Sequence, residues 1–385
     1  MIRRLRVNNY LSLKDVDLEL GQRNILIGPN MSGKSNLIDC FRFLTHMVSA
    51  GLSKAFLDRG GFPEVVWKGG DESRISFQLT VDDREMGQEQ VRSYDYELSI
   101  VGSSTGLISV ERERLEIKIG DQVSKLIDLR NGQGQVTHLD GSPAFSPPGP
   151  GQSALEFTVP GWEGTSLKDH IARWHFYHLH PSQMKQLNVA VGQQFLFEDG
   201  SNFSSWFMTL QTGYPEVFRR IKQAAADVLP DIAEILIPPT QFATTYMLTR
   251  EKHLKRPITV GRMSDGELVF LAWLSLILAP EDFGAPLFCA EEPENNLHPR
   301  LLETLVEVLN QRQNELGSHA AQLIVTTHSP YLIDRMTIDD LVVVEKQEGA
   351  TRYTRPASKG HLKDLLQREE LGLGELWYSG ALGEI

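Results

Sequence analysis

The sequence has few cysteines and no long apolar run. Cys40 and Cys289 are its two cysteines. Both lie in apolar stretches, so buried thiols in a reducing compartment fit better than a disulfide framework. No apolar run approaches the roughly 18–20 residues that cross a bilayer. The first six residues include three arginines and lack the apolar core of a signal peptide. We therefore expect a cytoplasmic protein with no membrane contact.

Positive charge is also scarce. With 38 Lys and Arg against 50 Asp and Glu, the net charge is −12, so the chain lacks the overall basic character typical of nucleic-acid binding. One short basic turn (Lys252, His253, Lys255, Arg256) could contact a phosphate backbone or could be a solvated hairpin tip. The 385 residues, 41% of them hydrophobic, are enough for a large core.

The sequence does contain a motif for binding phosphate. The apolar stretch 25–27 is followed by G-x-x-x-x-G-K-S and then by a helical pattern, the order of strand, loop and helix that a P-loop requires. Glycines let backbone N–H groups point at phosphate oxygens, and the helix adds its positive dipole end. Lys34 would contact the β- and γ-phosphates of ATP, and Ser35 would bind Mg²⁺. The predicted nucleotide-binding residues are Gly28, Pro29, Asn30, Met31, Ser32, Gly33, Lys34, Ser35 and Asn36.

The rest of the chain predicts an α/β fold. Two short strands joined near Asn8 and Asn9 precede the P-loop. Alternating segments from about residue 62 to 160 predict antiparallel strands, with 142–152 as a surface loop. Helical patterns follow, and the apolar strands after residue 286 are typical of a parallel sheet core.

Two carboxylates follow one of these late strands. Glu291 and Glu292 come directly after the apolar run 287–290. In a P-loop protein, Glu291 would bind Mg²⁺ directly or through water, and Glu292 would polarise the water that attacks the γ-phosphate. His328 ends the next strand and could contact the γ-phosphate or that water. The alternatives are a solvated acidic turn and an ordinary surface or core histidine.

The segment Ser264, Asp265, Gly266 and Glu267 precedes an apolar helix. Ser264 and Glu267 have the spacing of a capping box, which predicts an ordinary helix start. A helix N-terminus also binds anions, so this segment could meet the γ-phosphate of an ATP held by another subunit. The sequence leaves both interpretations open.

Together these motifs resemble the ABC-type ATPase heads of the SMC/RecF/OLD class, and in particular a compact bacterial RecF-like subgroup. The resemblance rests on the P-loop and on the segments 264–267, 291–299 and 327–330, and it extends to the first strands and to 371–383. It implies a P-loop NTPase of the ABC-head type with a mixed sheet core, a β-rich lobe and a helical lobe, without a coiled coil or a Toprim domain. The implied parts are the two halves of the head at 1–61 and 263–385, the β-rich lobe at 62–160, and helical and lid segments at 161–262.

The resemblance also implies residue roles. Glu291 takes the Walker B position in place of the usual Asp, Glu292 is the catalytic base, and His328 is the switch histidine. The signature 264–267, which lacks the second consecutive glycine of transporters, would contact the ATP of a second copy. Gln183 is the candidate for the lid glutamine at the metal, although it could equally be a polar residue at a helix N-terminus.

The implied function is an ATPase, with ATP and Mg²⁺, that forms a homodimer around two ATP molecules. It would switch DNA, or a separately encoded nuclease or effector, in DNA repair or anti-phage defence. The alternative is a slowly hydrolysing regulatory or scaffold subunit, which the replacement at Glu291 and the degenerate signature favour. Zinc binding by His175, His178 and His180 is not favoured, because no cysteine or carboxylate lies nearby at ligand spacing.

Overall fold

A computed structural model of the chain describes residues 1–71, 73–83, 91–240, 242–280, 283–356 and 372–378. The chain has an α/β fold with mostly antiparallel strands early and more helices later. Of the C-terminal stretch 371–383, residues 371 and 379–383 lie outside the described residues. Within the described part, no helix is both long and apolar enough to span a bilayer.

The described strands are β1 (Ile2–Tyr10), β2 (Leu13–Glu19), β3 (Arg23–Ile27), β4 (Arg74–Asp83), β5 (Arg92–Gly102), β6 (Ile108–Ile119), β7 (Gln122–Arg130), β8 (Gln133–Thr137), β9 (Pro143–Phe145), β10 (His175–Tyr177), β11 (Asn188–Val189), β12 (Ile232–Leu236), β13 (Thr244–Thr245), β14 (Leu248–Glu251), β15 (Ile258–Thr259), β16 (Leu287–Glu291), β17 (Gln322–Thr327), β18 (Leu341–Gln347) and β19 (Ala350–Thr354). The described α-helices are α1 (Lys34–Ala50), α2 (Leu52–Leu57), α3 (Phe62–Val65), α4 (Gly164–Ala172), α5 (Pro181–Met184), α6 (Phe203–Gly213), α7 (Pro215–Val228), α8 (Asp265–Ile277), α9 (Pro299–Leu316), α10 (Pro330–Ile333) and α11 (Leu373–Tyr378).

The chain divides into two compact units. The first comprises Met1–Trp174, Gln322–Ile324 and Asp339–Gly360, and the second comprises His175–Ala321, Val325–Ile338 and His361–Ile385. The P-loop therefore belongs to the first unit, whereas the carboxylates, the signature segment and His328 belong to the second. The finer division at residues 61, 160 and 262 stays a prediction.

The first unit contains an antiparallel sheet with the strand order β2-β1-β4-β5-β6-β7-β8-β9. Side chains on β4 alternate in burial, with Ile75, Phe77, Leu79 and Val81 in the core, as the sequence pattern predicts. The segment 142–152 was predicted to be a loop, but it contains β9, in which Phe145 pairs with Val136 of β8.

The turn near Asn8 and Asn9 was predicted wrongly. Strand β1 runs on to Tyr10, and the turn lies at Leu11 and Ser12, because Tyr10 pairs with Leu13 of β2. Asn9 does adopt the left-handed backbone that asparagine tolerates, with φ 59°. The buried Tyr10, whose hydroxyl donates to Asp39 Oδ2 at 2.6 Å, keeps the pairing of β1 with β2 past Asn9 despite the turn preference of asparagine.

The strand that leads into the P-loop has a parallel neighbour in the first unit. Strand β3 pairs in parallel with β18, with Ile25 opposite Leu341 and Ile27 opposite Val343. On its other side the backbone N–H of Leu323 donates to Gln22 O at 2.8 Å. Strand β19 continues antiparallel to β18. Burial of β3 from residue 24 and of β18 from 341 to 344 explains the unbroken apolar sequences 25–27 and 341–344.

In the second unit, strand β16 pairs in parallel with β10, with Cys289 opposite Phe176. Helix α8 is almost wholly buried from Leu268 to Leu276, which explains why its sequence lacks a polar face. Cys40 of the first unit and Cys289 are both buried free thiols, as predicted. These strands and α8 fix the positions of the polar segments that follow or precede them.

Candidate nucleotide-binding site

The P-loop in the first unit has little room for side chains at its two fixed glycines. A Cβ atom on Gly28 would lie 2.1 Å from Val344 O, and one on Gly33 would lie 2.0 Å from Thr351 Oγ1. Gly33 also has φ +105°, which disfavours any residue with a Cβ. The loop therefore follows a path that glycine at both positions makes accessible, between β3 and α1.

Lys34 lies at the start of α1 and is only 6% exposed. Its Nζ donates to Gly28 O at 2.9 Å and to Pro29 O at 3.0 Å, so the ammonium group is held against the loop. Ser35 is exposed in the first turn of α1, and that turn carries no acidic residue. An accessible hydroxyl and a buried cation at a helix N-terminus fit a phosphate–Mg²⁺ group.

The remaining predicted residues of the loop differ in exposure. Pro29, Asn30 and Met31 are exposed, and Met31 is 85% exposed, whereas Ser32 is buried. Asn36 donates from Nδ2 to Ser12 Oγ at 2.6 Å. Asn36 therefore contacts the β1–β2 turn.

In the second unit, the structure brings Glu292 and His328 together. His328 Nε2 lies 3.6 Å from Glu292 Oε1, and Asn295 Nδ2 donates to Glu292 Oε2 at 2.8 Å. Glu292 has φ 45°, a conformation that costs a non-glycine residue roughly 1–3 kcal/mol. Its backbone N–H donates to Thr326 O at 3.0 Å, so strand β17 holds this turn in place. Glu291 is the last residue of β16 and is partly exposed.

Glu294 is a residue of this turn that sequence reasoning missed. Its Oε1 accepts from Thr327 Oγ1 at 2.7 Å and from the backbone N–H of His328 at 2.8 Å. A carboxylate that accepts two hydrogen bonds from a neighbouring strand end fixes that end relative to its own turn. No local pattern signals this contact, because the partners are 33 and 34 positions apart.

The signature segment begins α8 with a complete capping box. Glu267 N donates to Ser264 Oγ at 3.2 Å, and Ser264 N donates to Glu267 Oε2 at 2.9 Å. Asp265 pairs with Lys185 at 2.6 Å. A Cβ on Gly266 would lie 2.8 Å from Asn296 O, so the start of α8 contacts the turn that carries Glu292. The segment therefore forms an ordinary capped helix start, and its anion-binding role stays a prediction.

Gln183, the candidate lid glutamine, lies in α5, and its Oε1 accepts from Gln186 Nε2 at 2.6 Å.

The three histidines that were considered for zinc have separate contacts. The His178 and His180 rings stack with centroids 4.6 Å apart, whereas His175 contacts Phe195. Burial lowers the pKa of His175 to about 4. Across the described residues, no group of three or more His, Cys, Asp and Glu side chains could hold a metal ion.

A known protein family matches most of the chain. The family described as "AAA domain, putative AbiEii toxin, Type IV TA system" matches residues 23–334. This range contains the P-loop, the signature segment, both carboxylates and His328. Among curated proteins, none matches this chain significantly.

Solved structures of SMC heads share the fold. An SMC head bound to the C-winged helix domain of ScpA is 13% identical, with a TM-score of 0.55 over 92% of this chain and 97% of that one. An Smc head with an extended coiled coil, bound to the C-terminal domain of ScpA derived from Pyrococcus furiosus, is 11% identical, with a TM-score of 0.53 over 96% and 99%. The identities are low, so the likeness concerns the fold: a P-loop NTPase head of the ABC type with an antiparallel β-rich sheet.

Proposed function

The chain belongs to the AAA-domain family that matches it and has the fold of SMC-type ATPase heads, and on this premise we propose that it binds and hydrolyses ATP. The observation that supports this most strongly is the P-loop itself. Gly28 and Gly33 leave no space for side chains, and Lys34 is buried against the loop. Such a loop presents N–H groups and one cation to an anion.

In the proposed site, Lys34 exchanges its hydrogen bonds to the carbonyls of Gly28 and Pro29 for charge-assisted bonds to the β- and γ-phosphates. Ser35 is the hydroxyl that would bind Mg²⁺, with Glu291 as a second ligand and Gln183 as a third candidate. Bound Mg²⁺ would neutralise phosphate charge in the transition state. Backbone N–H groups of the loop and of the first turn of α1 would bind the remaining phosphate oxygens.

Glu292 is the proposed base. It would take a proton from water as the water oxygen attacks the γ-phosphorus and the bond to the β-phosphate oxygen breaks, which gives ADP and phosphate. Asn295 donates to one oxygen of Glu292, and His328 lies beside the other. These contacts would orient the carboxylate, and His328 could contact the γ-phosphate.

We further propose that two copies form a homodimer around ATP, with Ser264–Glu267 of each copy facing the nucleotide of the other. The N–H groups at the start of α8 would supply the anion contact. The SMC heads in the two solved structures are bound to domains of a second protein, ScpA. By analogy, the ATP-dependent state of this dimer would control DNA or a separately encoded nuclease or effector, in repair or anti-phage defence.

A slowly hydrolysing regulatory subunit is the second candidate. Two observations favour it: Glu291 is one methylene longer than the usual Asp, and the Ser264 hydroxyl is already engaged by Glu267 N. Phosphate release measured with and without duplex or single-stranded DNA separates the candidates. If ATP hydrolysis is coupled to DNA, DNA should raise the rate of phosphate release. A scaffold subunit should release phosphate slowly in both conditions.

The direct test of ATPase function compares wild type with Lys34→Ala and Glu292→Gln. Lys34→Ala should weaken ATP binding and lower turnover by about 10²-fold or more, because an electrostatic contact to the phosphates is lost. Glu292→Gln should bind ATP and release little phosphate. Lys54→Ala is a matched control, since Lys54 is exposed and pairs with Asp58. Wild-type protein that binds no ATP would refute the proposed function, and turnover that persists in Glu292→Gln would refute the role of Glu292 as the base.

A further inference from the structure

A chain of buried hydroxyl groups holds the back of the P-loop in the first unit. Asn36 Nδ2 donates to Ser12 Oγ at 2.6 Å, Ser12 Oγ lies 2.6 Å from Thr351 Oγ1, and Thr351 Oγ1 donates to Ser32 O at 2.9 Å. Ser12, Ser32 and Thr351 are all buried. The chain therefore connects the β1–β2 turn and the start of β19 to the loop.

The direction of these hydrogen bonds is fixed. The Thr351 hydroxyl has a single proton and gives it to Ser32 O, so it must accept from Ser12, whose own proton is then used. Ser12 in turn accepts from the amide of Asn36, which can only donate through Nδ2. A second anchor is Tyr353, whose hydroxyl donates to Gly33 O at 3.2 Å.

Both anchored atoms are carbonyl oxygens of the P-loop, and their orientation decides whether the loop binds an anion. A loop of this kind attracts phosphate only when its N–H groups face the ligand and its carbonyl oxygens face away. A carbonyl turned inward would repel phosphate oxygens. Thr351 and Tyr353 hold the carbonyls of Ser32 and Gly33 from the strand β19.

We infer that Ser12, Thr351 and Tyr353 are positioning residues that preorganise the P-loop for the triphosphate. This inference rests on the proposed ATP binding and adds residues that lie outside the loop motif. The Gly33 position supports it, because a Cβ there would lie 2.0 Å from Thr351 Oγ1 and 2.8 Å from Ser12 Oγ. Desolvation raises the pKa of the Tyr353 phenol well above its usual value, so the hydroxyl stays protonated and can donate.

The key variant is Thr351→Val, which keeps the shape of the side chain and removes its hydroxyl. We expect the dissociation constant for a fluorescent ATP analogue to rise roughly 10-fold, the effect of about one lost hydrogen bond. The rate of phosphate release at saturating ATP should change less than threefold, because the residue does not touch the reacting atoms. Thr351→Ser restores the hydroxyl and should bind ATP as wild type does. Thr354→Val is the matched control, since Thr354 is exposed on the same strand.

Two further measurements separate positioning from general stability. Tyr353→Phe should also weaken ATP binding while thermal unfolding without nucleotide stays close to that of wild type. The inference is overturned if Thr351→Val binds ATP within twofold of wild type, or if Thr351→Ser loses as much affinity as Thr351→Val. Wild-type protein that fails to bind ATP would instead overturn the proposed function itself.

Discussion

At the scale of single residues, Gly33 shows how strictly the P-loop constrains its sequence. We predict that Gly33→Ala lowers the free energy of unfolding by roughly 1–3 kcal/mol from backbone strain alone, because φ is +105° and a Cβ would contact Thr351 Oγ1 at 2.0 Å. ATP binding should be lost as well. Thermal unfolding and nucleotide titration measure both effects.

Gly213→Ala is the control for this prediction. Gly213 is the last residue of α6, and a Cβ there would meet no atom within 4 Å. This variant should unfold at the same temperature as wild type or at a slightly higher one. Equal behaviour of the two alanine variants would contradict the strain argument.

His175 predicts how stability depends on pH. Burial lowers its pKa from 6.5 to about 4, so the folded state binds a proton less readily than the unfolded state. The contribution of neutral His175 to the free energy of unfolding is complete above about pH 6.5. It is lost as pH falls toward 4, by at most about 3 kcal/mol. Denaturant unfolding at several pH values should therefore show falling stability across this window.

The variant His175→Phe tests that assignment, because it keeps an apolar ring beside Phe195 and removes the titrating group. Its stability should change less between pH 6.5 and 4 than that of wild type. His319→Gln, at an exposed position, should retain the wild-type slope. A slope that His175→Phe leaves unchanged would assign the pH dependence to other groups.

At the scale of elements, Glu294 connects two turns of the second unit. Glu294→Ala should lower turnover at saturating ATP, because Thr327 Oγ1 and the N–H of His328 lose this acceptor and His328 can shift. The KM for ATP should change little, since the contacts of Glu294 are with Thr327 and His328 and not with the residues of the P-loop motif. Steady-state phosphate release at varied ATP separates the two constants.

Glu294→Gln keeps one oxygen acceptor at the same position and should recover most of the turnover. If Glu294 only stabilised the fold, both variants should give less folded protein, and the folded fraction should have the wild-type kcat and KM. The prediction fails if Glu294→Gln is as slow as Glu294→Ala while both remain folded.

The sequence predicts those elements whose causes are local. The P-loop, the capping box of α8 and most strands follow from patterns within about ten neighbouring residues. The prediction of a turn at Asn8 and Asn9 was wrong because the buried Tyr10 and its strand pairing outweigh the turn preference of asparagine. Burial of a large side chain in the core can override the local backbone preference of its neighbours.

The groups that support the site could not be predicted in this way. Thr351 lies 319 positions from the Ser32 carbonyl that it anchors, and an isolated threonine in a strand carries no functional pattern. The same holds for Glu294, which adjoins a recognised pair of carboxylates but acts on a different strand. These residues become visible only when the fold brings their strands to the loop or turn.

At the scale of the whole molecule, we propose that ATP joins two copies of the chain and that hydrolysis separates them. Trapping the bound state requires a variant that binds ATP without turnover, and Glu292→Gln is that variant. Ser264→Ala combined with it should weaken the dimer, because α8 would lose the N-cap that orders the N–H groups proposed to contact the ATP of the other copy.

The most direct test measures the molar mass of Glu292→Gln by light scattering in the presence of Mg²⁺ and either ATP or ADP. A single chain has a mass of 43.3 kDa. We expect about twice that mass with ATP and the single-chain mass with ADP. A protein that binds ATP yet keeps the same mass with either nucleotide would contradict it.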